Sequence, residues 1–447
     1  MSKNNIPENG IYDARQLGTP RMLVLGLQHM FAMFGATVLV PTLTGLSVSA
    51  TLLFAGLGTL LFHFLAKGKV PAFLGSSFVF LAGYFAIAPN GERALLPYAC
   101  FGVACAGLLY VLLAALFKAF GIKKVMKFFP PIVTGPIIIA IGLSLSGSAI
   151  TNCATNWGIA VVAILVILVT NIWGKGMIKI VPILLGVVAS YLVAAISGNV
   201  DFTAVKDAAW LGLPFAWQDT VFGLFSGEVD TGLLITSVIT IAPLSIATMT
   251  EHIGDMCAIS STCERNYLED PGFHRTLLGD GLATTLASLF GAPANTTYGE
   301  NTGVLALSKV YDPRVIRIAA YFAILFSFCP KFAALISAMP AATIGGVSLV
   351  LYGMISAVGV RNVVENKVDF TNTRNVIIAA LILVLAIGVS YSGNITIPIG
   401  NVTFTLTGLA VAAIVGIILN AILPGKDYEF GTNDQGDKSV NFGSRHD

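Results

Sequence analysis

Residues 295–303 read NTTYGENTG, a run of two Asn, three Thr, two Gly, a Tyr and a Glu with apolar segments on both sides. The chain around it is 55% hydrophobic and 11% charged, with a mean hydropathy of +0.83. Soluble domains carry about a quarter charged residues. Here apolar runs recur along the whole length, most of them long enough to cross the ~30 Å hydrocarbon core of a bilayer. A buried soluble core would need polar outer faces on its helices, and these segments have none. The chain is therefore read as an integral membrane protein. In lipid, a stretch such as 295–303 is tolerated only where it is buried in protein or lines a cavity.

The first 20 residues are polar and carry no cleavable signal, and the first apolar run is too long for a signal-peptide core. Cys100, Cys105, Cys153, Cys257, Cys263 and Cys329 show no metal-ligand spacing and read as free thiols in apolar surroundings. The net charge of +2 comes without a basic cluster suited to nucleic acid.

Fourteen spans are read, at about 22–44, 48–66, 72–90, 95–117, 129–147, 156–173, 178–197, 232–258, 276–291, 296–309, 315–337, 342–360, 374–392 and 402–423. The loop charges support that count. Cytoplasmic loops should hold the Lys and Arg. With a cytoplasmic N-terminus, alternation puts all 25 basic residues inside except Arg93, Lys206 and Lys331. Both termini, residues 1–21 and 424–447, are then cytoplasmic. The outer loop at 198–231 contains Trp210, Phe215 and Trp217, rings that settle at a membrane surface.

A faint internal repeat joins distant parts of the chain. Pro130 and Gly135 open span five as Pro340 and Gly345 open span twelve. Ser76-Ser77-Phe78 interrupts span three as Thr296-Thr297-Tyr298 interrupts span ten. Each match is seven spans apart, and an odd offset inverts the second copy, an arrangement found in many secondary transporters.

Charged side chains at membrane depth cost at least ~2.5–3.5 kcal/mol and mark function or pairing. Glu251 and Asp255 lie one turn apart on a helical face of span eight. Two carboxylates that close cannot easily both ionise, so one should hold a proton and the pair should titrate as a unit. The alternative is a carboxylate bonded to Thr248, Thr250 or His252 with no role in transport. Asp280 is read as a structural partner of Arg275. In the broken spans, Gly75, Gly299 and Gly303 permit turned backbone, freed N–H groups can donate, Glu300 can accept, and Phe78 and Tyr298 offer flat faces. These groups suit a small planar ligand carrying both N–H and C=O. Gln28 and His29 could equally bond neighbouring helices or a substrate, and Lys331 could reach the interface or find a partner.

Six stretches, taken in order, carry a family resemblance: LQHMFAMFGATVLVP (27–41), KGKVPAFLGSSFVF (67–80), EHIGD (251–255), DPGFHRTLLGDGLAT (270–284), NTTYGENTGV (295–304) and GGVSLVLYG (345–353). The sequence resembles the uracil permeases of the nucleobase–ascorbate transporter family. The resemblance implies an all-α polytopic membrane protein of fourteen transmembrane segments in two inverted seven-span repeats. It also implies short β-strands in spans three and ten. A core domain would comprise 22–117 and 232–337, and a gate domain 129–197 and 342–423. The resemblance further implies a uracil:proton symporter and not an enzyme, without cofactor or metal, in the cytoplasmic membrane as a homodimer. It assigns substrate contacts to Glu251, Glu300, Phe78, Gly299 and Ser77, a pocket lined by Ala36, Tyr298 and Tyr352, and proton coupling to Glu251 and Asp255. Some close relatives carry His at the Asp255 position. Purine carriers more often have Gln at the Glu300 position, which sets a xanthine-type substrate as the alternative. A membrane-embedded enzyme would need a nucleophile–base pair or metal ligands in the membrane. A passive channel would leave the carboxylate pair unexplained.

Overall fold

A computed structural model describes residues 10–399, 402–426 and 428. Lys3, Lys438, Arg445 and most of the expected 424–447 tail lie outside the described residues. The principal helices are α1 (Thr19–Thr44), α2 (Val48–Leu65), α3 (Leu81–Ile87), α4 (Leu96–Phe120), α5 (Pro131–Ala154), α6 (Trp157–Trp173), α7 (Pro182–Ile196) and α8 (Thr231–Ile241). They continue as α9 (Leu244–Thr262), α10 (Phe273–Leu289), α11 (Gly299–Ser308), α12 (Pro313–Ser327), α13 (Pro330–Ser337), α14 (Ala341–Glu365), α15 (Thr373–Tyr391) and α16 (Gly408–Ile422). Four strands, β1 (Leu74–Ser76), β2 (Asn295–Thr297), β3 (Ile395–Ile399) and β4 (Val402–Leu406), form two separate pairs.

This is an all-α polytopic membrane protein. Among the described residues, seven helices are long and apolar enough to span a bilayer, taking α8 and α9 as one, or eight if α12 and α13 make a single bent span. Local chemistry sets the helix ends. Ser47, Asn156, Asp312 and Thr407 accept from the first free N–H groups of α2, α6, α12 and α16. Gly45, in the left-handed region at φ 81°, closes α1.

Two expected spans take a different form. Residues 315–337 are not one straight helix but turn by 89° between α12 and α13. Pro330 starts the second piece, because a proline cannot continue the first helix. Span fourteen was placed at 402–423, yet its first residues form β4, paired antiparallel with β3. Thr, Ile, Val and Phe alternate through this stretch, and that period favours strand. β4 packs along α8.

Small residues set the closest packing. A Cβ on Gly359 of α14 would lie 2.7 Å from the Gly135 carbonyl oxygen of α5, and one on Gly135 would lie 3.2 Å from the Gly359 oxygen. Close backbone approach of this kind holds helices together where lipid competes for apolar surface. Gly359→Val should drive α5 and α14 apart, at a cost of ~1–3 kcal/mol from overpacking. A melting curve in detergent that superposes on wild type would refute the crossing.

The N-terminal segment is docked on the ends of two loops. Ile11 bridges to Val310, and the Tyr12 hydroxyl donates to the Cys263 carbonyl (2.8 Å). Asp13 joins Arg15 and Arg314 (2.7 and 2.9 Å). The hydrogen bond from Arg15, aided by the nearby Arg314 charge, holds the Asp13 carboxyl down at about 2.

Candidate functional site

β1 and β2 come from opposite halves of the chain and pair antiparallel, with Leu74 opposite Thr297, Gly75 opposite Thr296 and Ser76 opposite Asn295. Two more backbone bonds extend the pair: Ser77 N–H to the Ala294 carbonyl (2.8 Å) and Tyr298 N–H to the Phe73 carbonyl (3.0 Å). The outer edges are satisfied by side chains. Thr59 of α2 accepts from the Leu74 N–H (2.9 Å) and donates to its carbonyl (3.3 Å). Thr284 of α10 donates to the Asn295 carbonyl (2.8 Å), and the Asn295 amide donates to the Phe54 carbonyl (3.0 Å). Extended backbone is thus housed with its polar groups paired, the condition for placing it at membrane depth.

Gly75 makes the pair possible. A Cβ there would run into the Tyr298 ring and sit 2.7 Å from Thr37 Oγ1. The Tyr298 hydroxyl donates to the Ser76 carbonyl (2.9 Å), and Ser76 Oγ donates to the Thr37 carbonyl of α1 (2.9 Å). The Tyr298 ring is therefore turned back onto β1 and 4% exposed. Immediately beyond the strands the chain opens. Ser77 Oγ is buried without a hydrogen-bond partner. Gly299 begins α11, is exposed, and has open space where a side chain would project. Glu300 stands in the first turn of α11, beside N–H groups that no helical carbonyl can reach. Phe78 meets Tyr352 of α14 edge to face, with ring centroids 5.9 Å apart. Both rings are buried, as is Ala36 of α1.

Facing the strands, α9 presents Glu251 and Asp255. Glu251 Oε2 is buried and receives no hydrogen bond from the protein. Asp255 Oδ2 accepts from Thr297 Oγ1 (2.7 Å). Thr297 Oγ1 is also 3.5 Å from His252 Nδ1, and His252 Nδ1 lies 3.2 Å from Asp280 Oδ2. The other imidazole nitrogen is 3.2 Å from Thr276 Oγ1. His252 and Asp280 are both fully buried. The expected Asp280–Arg275 pair is not formed. Five residues at 100° each set the two side chains about 140° apart on α10. Arg275 donates instead to the Leu65 carbonyl (3.3 Å). Nor do Thr248 and Thr250 bond the carboxylates. Each donates to a carbonyl of its own helix, and Thr248 also takes the Tyr110 hydroxyl.

The contact between α9 and α11 thus brings carboxylate acceptors on α9 close to free N–H donors at the start of α11. A family model described as a permease family (Xan_ur_permease) matches residues 20–395. The chain belongs to this permease family. It is similar to the "Uracil permease" of Bacillus caldolyticus, 41% identical over 431 residues that cover 94% of this chain and 96% of that one. It is also similar to the "Uracil permease" of Bacillus subtilis (strain 168), 38% identical over 439 residues, with coverage of 94% and 97%. Among solved structures, the transmembrane domain of the cyanobacterial bicarbonate transporter BicA matches with a TM-score of 0.56 at 15% identity. That match covers 92% of this chain and 99% of the other, and the likeness is one of fold.

The permease is a multi-pass membrane transporter, not an enzyme. Its Glu300 lines a cavity of about 200 Å³ bounded by Ala32, Gly303, Asn171, Lys179 and Met354. A separate cleft of about 540 Å³, lined by Thr42, Phe85, Ser148, Asn152 and Met339, lies toward the other end of α1. The permease uses His29 locally. The Asn301 amide lies 3.2 Å from His29 Nδ1 and donates to its carbonyl (3.0 Å), tying α11 to α1 beside Glu300. Lys331 is placed away from these residues. It donates to the Lys206 carbonyl (3.2 Å) and sits 5.2 Å over the Trp210 ring, in the 198–231 loop. The sequence reading gives Asn301 no role, treats Thr297 only as part of the break in span ten, and treats His252 only as a possible partner of the carboxylates.

Proposed function

We propose that this permease imports uracil with a proton by alternating access. One observation carries the reading: a buried Glu251 oxygen without a protein donor stands across from Glu300 at the exposed start of α11. Uracil offers two ring N–H groups and two carbonyls. Glu251 and Glu300 accept from the N–H groups, while backbone N–H groups at Phe78 and Gly299 donate to the carbonyls. Phe78, Ala36 and Tyr352 form the apolar wall, Ser77 supplies a further polar contact, and Tyr298 braces β1 beneath the site. A purine would present a different edge and leave buried polar groups unpaired, at ~1–3 kcal/mol each. The names of the relatives support uracil over the xanthine-type alternative. The proton resides on the Glu251/Asp255 pair, with the Thr297 hydroxyl steadying Asp255.

Fourteen spans remain our count. The seven long apolar spans and the bent α12–α13 pair are joined by α6, α7 and α16, by α10, and by the strand-plus-helix segments β1–α3 and β2–α11. α1–α4 with α8–α13 make the core, and α5–α7 with α14–α16 make the gate. The packing of α4 and α2 on α10, and of α5 on α14 and α15, supports this division. Both termini are cytoplasmic, and the working assembly is a homodimer in the cytoplasmic membrane.

The test is uptake of labelled uracil into energised vesicles. Accumulation should collapse with a protonophore, persist without sodium, and resist competition by xanthine. Accumulation that tracks the sodium gradient would overturn the proton assignment, and displacement by xanthine at equal concentration would overturn the substrate.

A further inference from the structure

The link from α4 to α5 carries Lys123, Lys124 and Lys127, all exposed; Lys118 stands in the last turn of α4, and residues 117–130 contain no Asp or Glu. Among the described residues none of these four lysines makes an ion pair. Basic groups elsewhere do: Lys69 with Asp270, Arg314 with Asp13 and Asp312, and Arg361 with Glu365. The link is also two-faced. Val125, Met126 and Phe129 are buried against the protein, while Lys123, Lys124, Lys127 and Phe128 point outward. Its position is fixed from behind. The Asn420 amide donates to the Lys127 carbonyl (2.9 Å), and Asn420 Oδ1 accepts from Arg374 (2.7 Å). Along the outer face of α4, Leu108, Leu112, Leu116 and Phe120 recur every four residues as an exposed apolar stripe that ends at the lysines.

We propose that this link binds an anionic phospholipid, with the phosphate headgroup held by Lys123, Lys124 and Lys127 and an acyl chain lying along Leu112, Leu116 and Phe120. A general excess of inside charge accounts for orientation in the membrane. It does not account for three unneutralised lysines on the outer face of one fixed amphipathic link, at the end of an apolar track. Basic residues clustered next to a membrane span attract anionic headgroups, and long Lys stems reach to headgroup level. On the proposed division the link joins core to gate, so a lipid held there would fix this connection to the plane of the membrane while the core moves.

The test needs no transport. Phosphatidylglycerol is titrated into delipidated, detergent-purified full-length protein, and bound lipid is counted by native mass spectrometry. Each basic side chain near an anionic surface is worth roughly fivefold, so a Lys123→Gln, Lys124→Gln, Lys127→Gln variant should bind on the order of 100-fold more weakly. The same three changed to Arg should bind as wild type, which also shows that the link tolerates substitution. A control with Gln at Lys67, Lys175 and Lys309 should keep most of the binding. Phosphatidylcholine should bind weakly to all variants, and millimolar inorganic phosphate should not displace the lipid. Unchanged binding in the first variant, equal loss in the control, or displacement by inorganic phosphate would each overturn the site.

Discussion

Glu300→Gln should abolish uracil accumulation while the protein reaches the membrane at its normal level. The change keeps size and shape, and α11 still starts at Gly299 with its first turn intact. What changes is the hydrogen-bonding sense. A carboxylate only accepts, whereas an amide also presents two N–H donors. Against a ring N–H, the amide must offer its oxygen, a neutral acceptor about half as strong, or place donor against donor. Hydrogen bonds to charged groups contribute ~1.5–3 kcal/mol, so the loss in binding should be about ten- to a hundredfold before any effect on coupling. Uptake in whole cells, normalised to protein in the membrane, measures it. Undiminished uptake would remove Glu300 from the site.

Gly75→Ala should be nearly as damaging, though it touches no proposed ligand. The added methyl meets the Tyr298 ring and Thr37 Oγ1. The ring cannot swing away without breaking its bond to the Ser76 carbonyl. The strand cannot retreat either, because Thr59 grips its far edge. Overpacking of a rigid site costs ~1–3 kcal/mol, and here it shifts the strand that ends at Ser77 and Phe78. Binding of uracil should fall at least about tenfold with a lowered melting temperature. Adding Tyr298→Leu, which removes the obstructing ring, should restore part of the melting temperature. If the single substitution leaves both quantities unchanged, the close approach at Gly75 is wrong.

Much of this protein is legible in its sequence because lipid is an exacting solvent. GSSF and NTTYGENTG stood out as polar breaks at membrane depth, and the breaks lie where β1 and β2 pair. Glu251, Asp255 and Glu300 stood out because charge there is expensive. The His252–Asp280 pair was hidden for a different reason. Its members sit on separate helices, and no spacing rule links residues brought together by the crossing of α9 and α10. Arg275, close to Asp280 in the chain, was the natural but wrong partner. β4 was missed because an apolar alternation next to a hydrophobic helix reads as more helix, and β3 because it falls in the connection between the spans expected at 374–392 and 402–423. The bend before α13 carried a usable signal in Pro330, which length and hydropathy alone overrode.

The pairing of β1 with β2 bears on how the protein is made. Leu74 and Thr297 are neighbours in space, but more than two hundred residues of synthesis separate them. When α1–α7 have left the ribosome, β1 already has Thr59 on one edge and nothing of its own chain on the other. Its remaining N–H and C=O groups cannot be left facing hydrocarbon. The early half must therefore wait in an insertion machinery or a watery cleft, incompletely folded, until Asn295–Thr297 arrives. Insertion of the helices can proceed in order from the N-terminus, but folding around the strands closes only when β2 is in place.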